Sequence, residues 1–123
     1  MILIVEDHAD SADLLVRLLK RFGYDVRCAT TAVAALDLLK ELPIRLAIVD
    51  YNLPDHDGMW LLRQINGDQS LSAVRTFFLS ATFEGDVARR AFAEGAGDWL
   101  VKGVHSVSRI IETVERLYRP PPA

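Results

Sequence analysis

The sequence LAIVD at residues 46–50 continues as YNLPDHDG at residues 51–58, and these two segments indicate the architecture of the whole chain. A run of apolar residues ends on the carboxylate of Asp50, and a turn containing Pro54 and Gly58 follows. This pattern predicts a buried strand that carries Asp50 to a loop at its carboxyl end. Open α/β sheets bind their ligands at that end of their strands, so we expect the functional site there.

A second apolar strand, ILIV at residues 2–5, also ends on acidic residues, here Glu6 and Asp7. If the two strands are parallel neighbours, about 4.8 Å apart, the carboxylates of Glu6, Asp7 and Asp50 converge at one edge of the sheet. Like charges at such short range disfavour joint ionisation unless a cation lies between them. Oxygen ligands suit a hard divalent ion, and the sequence therefore predicts a Mg²⁺ site.

Strand-like and helix-like segments alternate five times along the chain. Apolar strands joined to amphipathic helices by short connections specify a parallel sheet with helices on both faces, which is an α/β fold. The second strand is predicted at residues 24–28, with Cys28 as a small core residue, and the last helix at residues 104–118. One domain is expected over residues 1–118, and the Pro-rich residues 119–123 are interpreted as a tail or linker stub.

The composition excludes several classes of function. The net charge of −3 provides no bulk attraction for nucleic acid or an anionic membrane, so we expect no direct nucleic-acid binding by this domain. The single cysteine excludes an intramolecular disulfide. No apolar run is long enough to span a bilayer, and no charged leader precedes the first strand. We therefore expect a cytoplasmic location without membrane contact.

Two further strands end on chemically useful side chains. The segment FFLS at residues 77–80 ends on Ser80, and WLVK at residues 99–102 ends on Lys102. The carboxyl ends of parallel strands all face the same way. A hydroxyl and an ammonium group are therefore expected at the same sheet edge as the carboxylates.

Five motifs, in this order, resemble the receiver domain of two-component response regulators: ILIVED, IVDYNLPDHDG, FFLSA, GAGDWLVK and a closing amphipathic helix. The resemblance covers essentially the whole chain. It implies a flavodoxin-like (βα)5 fold whose five parallel strands lie in the order 2-1-3-4-5. It also implies a phosphoprotein that acts in phosphorelay signal transduction.

The resemblance makes Asp50 the phosphoryl acceptor, which takes its group from phosphohistidine on a sensor histidine kinase or phosphotransfer protein. It makes Asp7 and Asp50 direct Mg²⁺ ligands, Glu6 a ligand through water, and the main-chain carbonyl of Asn52 a further ligand. The ion would offset the crowded charge and polarise the phosphoryl group. The chain would catalyse only its own phosphorylation and dephosphorylation, so it is interpreted as a signalling switch and not as an enzyme.

The resemblance also assigns the response to phosphorylation. Lys102 pairs with Asp50 at rest and with a phosphoryl oxygen afterwards, and Ser80 donates to another phosphoryl oxygen. As Ser80 moves toward the phosphate, Trp99 turns inward and carries the signal to the last helices. The implied partners are an effector domain or a partner protein, and the family also allows a homodimer.

Two positions depart from the family pattern. The switch aromatic is usually Tyr or Phe, whereas Trp99 is larger and needs an acceptor for its N–H if it is buried. A proline with a cis bond normally follows the lysine, whereas this chain has Gly103. Because a cis bond before a non-proline residue costs about 2.5–4 kcal/mol, we predict a trans bond and a displaced or mobile loop.

Two alternative functions follow from the same residues. A phosphohydrolase of the haloacid dehalogenase type also uses an aspartyl phosphate, Mg²⁺ and a lysine, but it needs an acid where this chain has Asn52. A receiver-like interaction module that acts without phosphorylation is favoured only by Gly103 and Trp99.

The three histidines carry weaker signals. His8 follows the acid pair and could approach the site, but an exposed loop position is the favoured interpretation. His56 and His105 lack the spacing of metal ligands, and no chemistry is assigned to them.

Overall fold

Five strands alternate with five helices along residues 1–118, which are the residues that the structure, a computed structural model, describes. The predicted tail at residues 119–123 lies outside the described residues. The strands are β1 (Ile2–Val5), β2 (Val26–Ala29), β3 (Leu46–Val49), β4 (Arg75–Ser80) and β5 (Trp99–Val101). The helices are α1 (Ala9–Arg21), α2 (Ala32–Glu41), α3 (Gly58–Asn66), α4 (Gly85–Ala93) and α5 (Val107–Tyr118), with a 3-10 turn at Gln69–Leu71.

The strands form one parallel sheet in the order β2-β1-β3-β4-β5, which confirms the predicted α/β fold and strand order. In the register of β1 with β3, Val5 lies opposite Val49. The two strands therefore end level, and the acidic residues that follow them start side by side. Because β2 and β3 lie on opposite sides of β1, the chain reverses its direction of winding here, which is where such folds bind ligands.

Alternate strand residues fill two separate cores, one on each face of the sheet. Leu3 and Val5 contribute to a core with residues of α2, α3 and α4. Ile2 and Ile4 contribute to a second core with residues of α1 and α5. Continuous burial of β1 and β3 on both faces explains why their sequences are uninterrupted apolar runs.

Two sequence predictions about the edges of this fold are wrong. Cys28 is exposed and is not a core residue, because β2 is an edge strand on which only Val26 and Ala29 are buried. The last helix begins at Val107 and not at residue 104, and Val107 is 56% exposed. Residues 102–105 instead form a turn and a bend that close on the end of β5.

No helix within residues 1–118 has the length and the apolar character that crossing a bilayer requires.

Candidate functional site

Glu6 and Asp50 are held side by side because the main-chain pairing of the sheet continues one residue beyond the strands. The N–H of Glu6 donates to the carbonyl of Ala29 at 3.0 Å, and the N–H of Asp50 donates to the carbonyl of Val5 at 2.9 Å. Both acids are buried, at 3% and 6% exposure. Burial of two carboxylates is costly unless a cation compensates their charge.

Lys102 supplies part of that compensation. Its Nζ donates to Glu6 Oε2 at 2.6 Å and to Asp50 Oδ2 at 3.1 Å. The position of the lysine follows from β5, because the N–H of Lys102 donates to the carbonyl of Ser80 at 2.7 Å, one position beyond the end of that strand. The predicted convergence of Glu6, Asp50 and Lys102 at one sheet edge is therefore present in the structure.

The three charged groups shift one another's pKa. Burial and the neighbouring Glu6 raise the pKa of Asp50 above its ordinary value, although Lys102 opposes the shift. Burial alone would raise the pKa of Glu6, but the hydrogen bonds around it, first that from Lys102, lower it. Burial disfavours the charged form of Lys102, yet bonds to the two carboxylates raise its pKa, so the ammonium form persists.

The residues at this edge suit a hard cation. One ligand atom from each of Glu6, Asp7, His8 and Asp50 lies within 4.8 Å of all the others. Three carboxyl groups surround a single ammonium group, and oxygen-rich donors of this kind fit a divalent ion such as Mg²⁺. Asp7, unlike its two buried neighbours, is exposed, so an ion can reach the cluster from solvent.

His8 lies closer to the acids than its sequence context indicates. It is exposed, as the favoured interpretation expected, with 73% of its side chain accessible. Its Nδ1 nevertheless lies 3.0 Å from Glu6 Oε1 and 3.2 Å from Asp7 Oδ1, and its main-chain N–H donates to Glu6 Oε1. Glu6 therefore has a donor on each carboxylate oxygen, His8 on one and Lys102 on the other.

The loop after β3 is fixed around Asp50. The N–H of Asn52 donates to Asp50 Oδ1 at 3.3 Å, and the N–H of Gly58 donates to the carbonyl of Tyr51 at 2.7 Å, which closes the loop at the start of α3. A side chain at Gly58 would collide with the ring of Phe78 and approach the carbonyl of Asp50. The glycine therefore permits the close packing of α3 against the strand that carries the acid.

Asp55, in the same loop, binds a neighbouring helix. Its two carboxylate oxygens accept from the N–H groups of Ala32 and Val33 at 2.9 and 3.0 Å. Partial desolvation opposes ionisation, but these main-chain hydrogen bonds lower the pKa of Asp55. The first turn of α2 thus holds the loop that borders the site, an interaction that the sequence analysis did not predict.

Ser80 and Trp99, the predicted switch residues, are both buried. Ser80 is fully buried, and its hydroxyl has no hydrogen-bond partner in the described part of the chain. Trp99 is 5% exposed, and its indole N–H donates to the carbonyl of Thr82 at 3.2 Å, which is the acceptor that a buried tryptophan requires. The predicted inward turn of Trp99 on phosphorylation stays a prediction.

The second tryptophan lies on α3. The ring of Trp60 stacks on the ring of His56, with 3.8 Å between centroids and 6° between planes. Trp60 is partly buried and packs against the core of the α2, α3 and α4 face.

The bond from Lys102 to Gly103 is trans, as predicted, and all peptide bonds in residues 1–118 are trans. Gly103 has φ +76, a conformation that favours glycine. The predicted mobility of its loop stays a prediction.

The chain matches a known family over nearly its whole length. The model of the response regulator receiver domain matches residues 2–115. FilR2 of Methanothrix harundinacea (strain 6Ac) is 32% identical over 126 residues, which cover 95% of this chain and 80% of FilR2. The cell cycle transcriptional regulator CtrA of Caulobacter vibrioides (strain NA1000 / CB15N) is 30% identical over 118 residues, and the chain spans about half of its length, 50%.

A solved structure agrees with these relatives. The non-phosphorylated receiver domain of HemR from Leptospira biflexa superposes with a TM-score of 0.87 at 26% identity, covering 99% of this chain and 96% of that one. The family model matches the sequence from the first strand into the last helix, and the five-stranded sheet and the acidic edge of β1 and β3 are those of such a domain. This chain therefore belongs to the family of response regulator receiver domains of two-component systems.

Proposed function

We propose that this chain is a phosphorylation-controlled switch in which Asp50 accepts a phosphoryl group from phosphohistidine on a sensor histidine kinase or phosphotransfer protein. The observation that carries the proposal is the position of Asp50, which is buried, lies 3.1 Å from Lys102 Nζ and belongs to a cluster of potential metal ligands. Such an arrangement neutralises the charge that an incoming phosphoryl group brings.

The transfer step is a nucleophilic displacement at phosphorus. An oxygen of Asp50 forms the new P–O bond as the P–N bond to the donor imidazole breaks, and the imidazole takes the electron pair. Lys102 then exchanges its contact with Asp50 for one with a phosphoryl oxygen, and it remains anchored by Glu6 at 2.6 Å. The donors of the site are thus present before transfer, which reduces the reorganisation that the reaction requires.

Mg²⁺ is the proposed cofactor, held by Asp7, Asp50, Glu6 through water and the main-chain carbonyl of Asn52. The carboxylate-rich donor set of the cluster supports this choice. When bound, the ion offsets negative charge and polarises the phosphoryl group.

Ser80 is the proposed group that reads out the new charge. A buried hydroxyl without a partner costs about 1–3 kcal/mol, and a phosphoryl oxygen on Asp50 would provide the missing acceptor. Movement of Ser80 toward that oxygen changes the packing near Trp99, whose ring lies 5.1 Å from that of Phe78 on the same strand as Ser80. The signal would then reach α4, β5 and α5 and control an effector domain, a partner protein or a homodimer.

The same proposal covers the remaining expectations. Residues 1–118 form the receiver domain, the protein acts in the cytoplasm, and its only catalysis is its own phosphorylation and dephosphorylation. CtrA is named a transcriptional regulator and is twice as long as the matched region, so a further output domain is part of the proposal for this protein.

Incubation with a small acyl-phosphate donor and Mg²⁺ tests the assignment. Intact-mass analysis should show the addition of one phosphoryl group to the wild type, no addition to Asp50→Asn, and wild-type labelling of Asp37→Asn, which replaces an exposed acid on α2. Chelation of Mg²⁺ should abolish labelling. Labelling that survives in Asp50→Asn would refute the assignment of Asp50.

A second candidate function is a receiver-like interaction module that acts without phosphorylation. The observation that favours it is Trp99, which is already buried and hydrogen-bonded to Thr82 in this structure. Amide chemical shifts of α4 and α5 distinguish the two candidates, because a switch changes them on phosphorylation and a constitutive module does not.

A further inference from the structure

The end of β5 is closed by a reciprocal pair of hydrogen bonds between Val101 and His105. The main-chain N–H of Val101 donates to His105 Nδ1 at 2.7 Å, and the N–H of His105 donates to the carbonyl of Val101 at 3.0 Å. A third hydrogen bond, from the N–H of Val104 to the same carbonyl at 3.2 Å, lies within the turn that the first two bonds close. This hydrogen-bonded turn encloses residues 102–104, and the first of them is the lysine of the site.

The imidazole satisfies a main-chain donor that the sheet does not use. β5 is an edge strand that pairs only with β4 in the described part of the chain. Because the N–H of Lys102 donates toward β4, that of Val101 points to the opposite side, away from the sheet. Nδ1 accepts this hydrogen bond only in the neutral tautomer whose proton is on Nε2.

The hydrogen-bonded turn tethers the segment around Gly103 at both ends. Gly103 follows the lysine directly and has φ +76, and apart from Gly103 itself and its two chain neighbours no heavy atom lies within 4 Å of the place where a Cβ would lie. Local packing therefore does not fix this residue. On one side of Gly103, Lys102 is tied to Ser80, and on the other side His105 ties the chain back to Val101.

We propose that His105 is a positioning residue, which holds the end of β5 so that Lys102 Nζ reaches Glu6 and Asp50. Its effect on phosphorylation rests on the proposed function, whereas its effect on the position of the lysine does not. Because the imidazole of His105 accepts a hydrogen bond from the main chain of β5, we assign it a positioning role and no part in the reaction itself.

Three substitutions separate this role from a general structural one. In His105→Asn the amide oxygen occupies nearly the place of Nδ1 and should keep the bond to Val101. In His105→Gln the amide reaches the place of Nε2 instead, and in His105→Leu no acceptor remains. Hydrogen exchange of the Val101 amide should stay at the wild-type rate in the Asn variant and become roughly 10-fold faster in the other two, as expected for one lost hydrogen bond.

The rate of phosphorylation by a small donor should follow the same order. The rate of the Asn variant should stay within about 2-fold of the wild-type rate. The Gln and Leu variants should be phosphorylated about 10-fold more slowly, because a small displacement of a charge-stabilising group such as the Lys102 ammonium lowers the reaction rate strongly. In a Lys102→Ala background, His105→Leu should cause no further loss, since His105 acts through the lysine.

The outcomes are distinct. Equal phosphorylation rates in all three His105 variants, or an equal loss from His105→Leu with and without Lys102, would overturn the positioning role. A wild-type chain that takes no label refutes the proposed function instead. The role of His105 is then decided by the ¹⁵N resonance of the Lys102 ammonium group. In the wild type and the Asn variant this resonance should show an ammonium group bound to Glu6 and Asp50. In the Gln and Leu variants it should show an average of the bound and the free group. A bonded state in all four chains refutes the role.

Discussion

Replacement of Lys102 by methionine should destabilise the metal-free protein strongly. The substitution keeps an unbranched side chain of similar length and removes the ammonium group that contacts Glu6 at 2.6 Å and Asp50 at 3.1 Å. The side chains of these acids are only 2% and 7% exposed, so solvent cannot replace the lost cation.

The expected loss follows from this burial. Removal of one partner from a buried ion pair costs about 3–5 kcal/mol, because the remaining charge is left uncompensated. The side chain of Lys102 is 24% exposed, so water screens part of the interaction, and we expect the lower limit of about 3 kcal/mol. For a domain of this size such a loss lowers Tm by about 10 °C.

Urea unfolding with and without Mg²⁺ measures the effect. Mg²⁺ should restore much of the lost stability in Lys102→Met and should stabilise this variant more than the wild type, because the lysine no longer competes for Glu6 and Asp50. The matched control is Arg17→Met, which breaks a pair with Asp13 whose side chains are 76% and 59% exposed. This control should lose at most about 0.5 kcal/mol and should not respond differently to Mg²⁺.

Two results would refute the reasoning. One is a loss in Lys102→Met that does not exceed that in Arg17→Met, which would mean that the acids at the site are well solvated. The other is a loss of the expected size that Mg²⁺ does not reduce, which would mean that the cluster does not hold the ion.

Three further predictions concern the loop after β3 and the metal ligands. Asp55→Ala should cost about 1–2 kcal/mol in urea unfolding, because it removes a carboxylate that caps α2. Since the pKa of Asp55 is lowered in the folded state, this stabilisation is present above the ordinary pKa and is lost as the pH falls through the folded-state pKa. The stabilities of the variant and the wild type should therefore converge in acid. Gly58→Ala should lower the free energy of unfolding by about 1–3 kcal/mol, because the new Cβ would meet the buried ring of Phe78. Gly85→Ala is the control, because a Cβ there would have only its own chain neighbours within 4 Å, and it should be neutral or stabilising. Similar effects at both sites would contradict the packing argument. Asp7→Asn should weaken Mg²⁺ binding by about 10-fold or more in a calorimetric titration, and unchanged affinity would remove Asp7 from the ligand set.

The centre of the fold could be predicted from the sequence, because strands that are apolar on both faces are stable only where helices cover both faces of the sheet. Residues 2–5 and 46–49 are apolar on both faces, so they can lie only in the middle of a covered sheet, and the acids that follow them must meet. Prediction failed at the edge, where Cys28 follows the alternation of a half-buried strand but is exposed, although Val26 on the same face is buried. Alternation indicates which face a residue occupies and does not indicate how far the neighbouring helix covers that face.

The contacts of His105 and Asp55 could not be predicted for a different reason. Each depends on a loop that brings a side chain to a main-chain N–H, at Val101 in one case and at Ala32 in the other. Such contacts follow from the path of the chain after the sheet has formed, and residue type and periodicity do not encode that path. The carboxylates and the lysine were predictable because strands place them directly.

The positions of the two tryptophans provide an optical measurement without any added label. Trp99 is enclosed by aromatic rings, with Tyr51 and Phe78 at 5.6 and 5.1 Å, whereas Trp60 stacks on His56 at 3.8 Å. Replacement of Trp60 by Phe would leave one indole in the chain, that of Trp99. The emission that remains would then come mainly from the indole beside β4, and its wavelength could follow the phosphorylation state of the protein in real time.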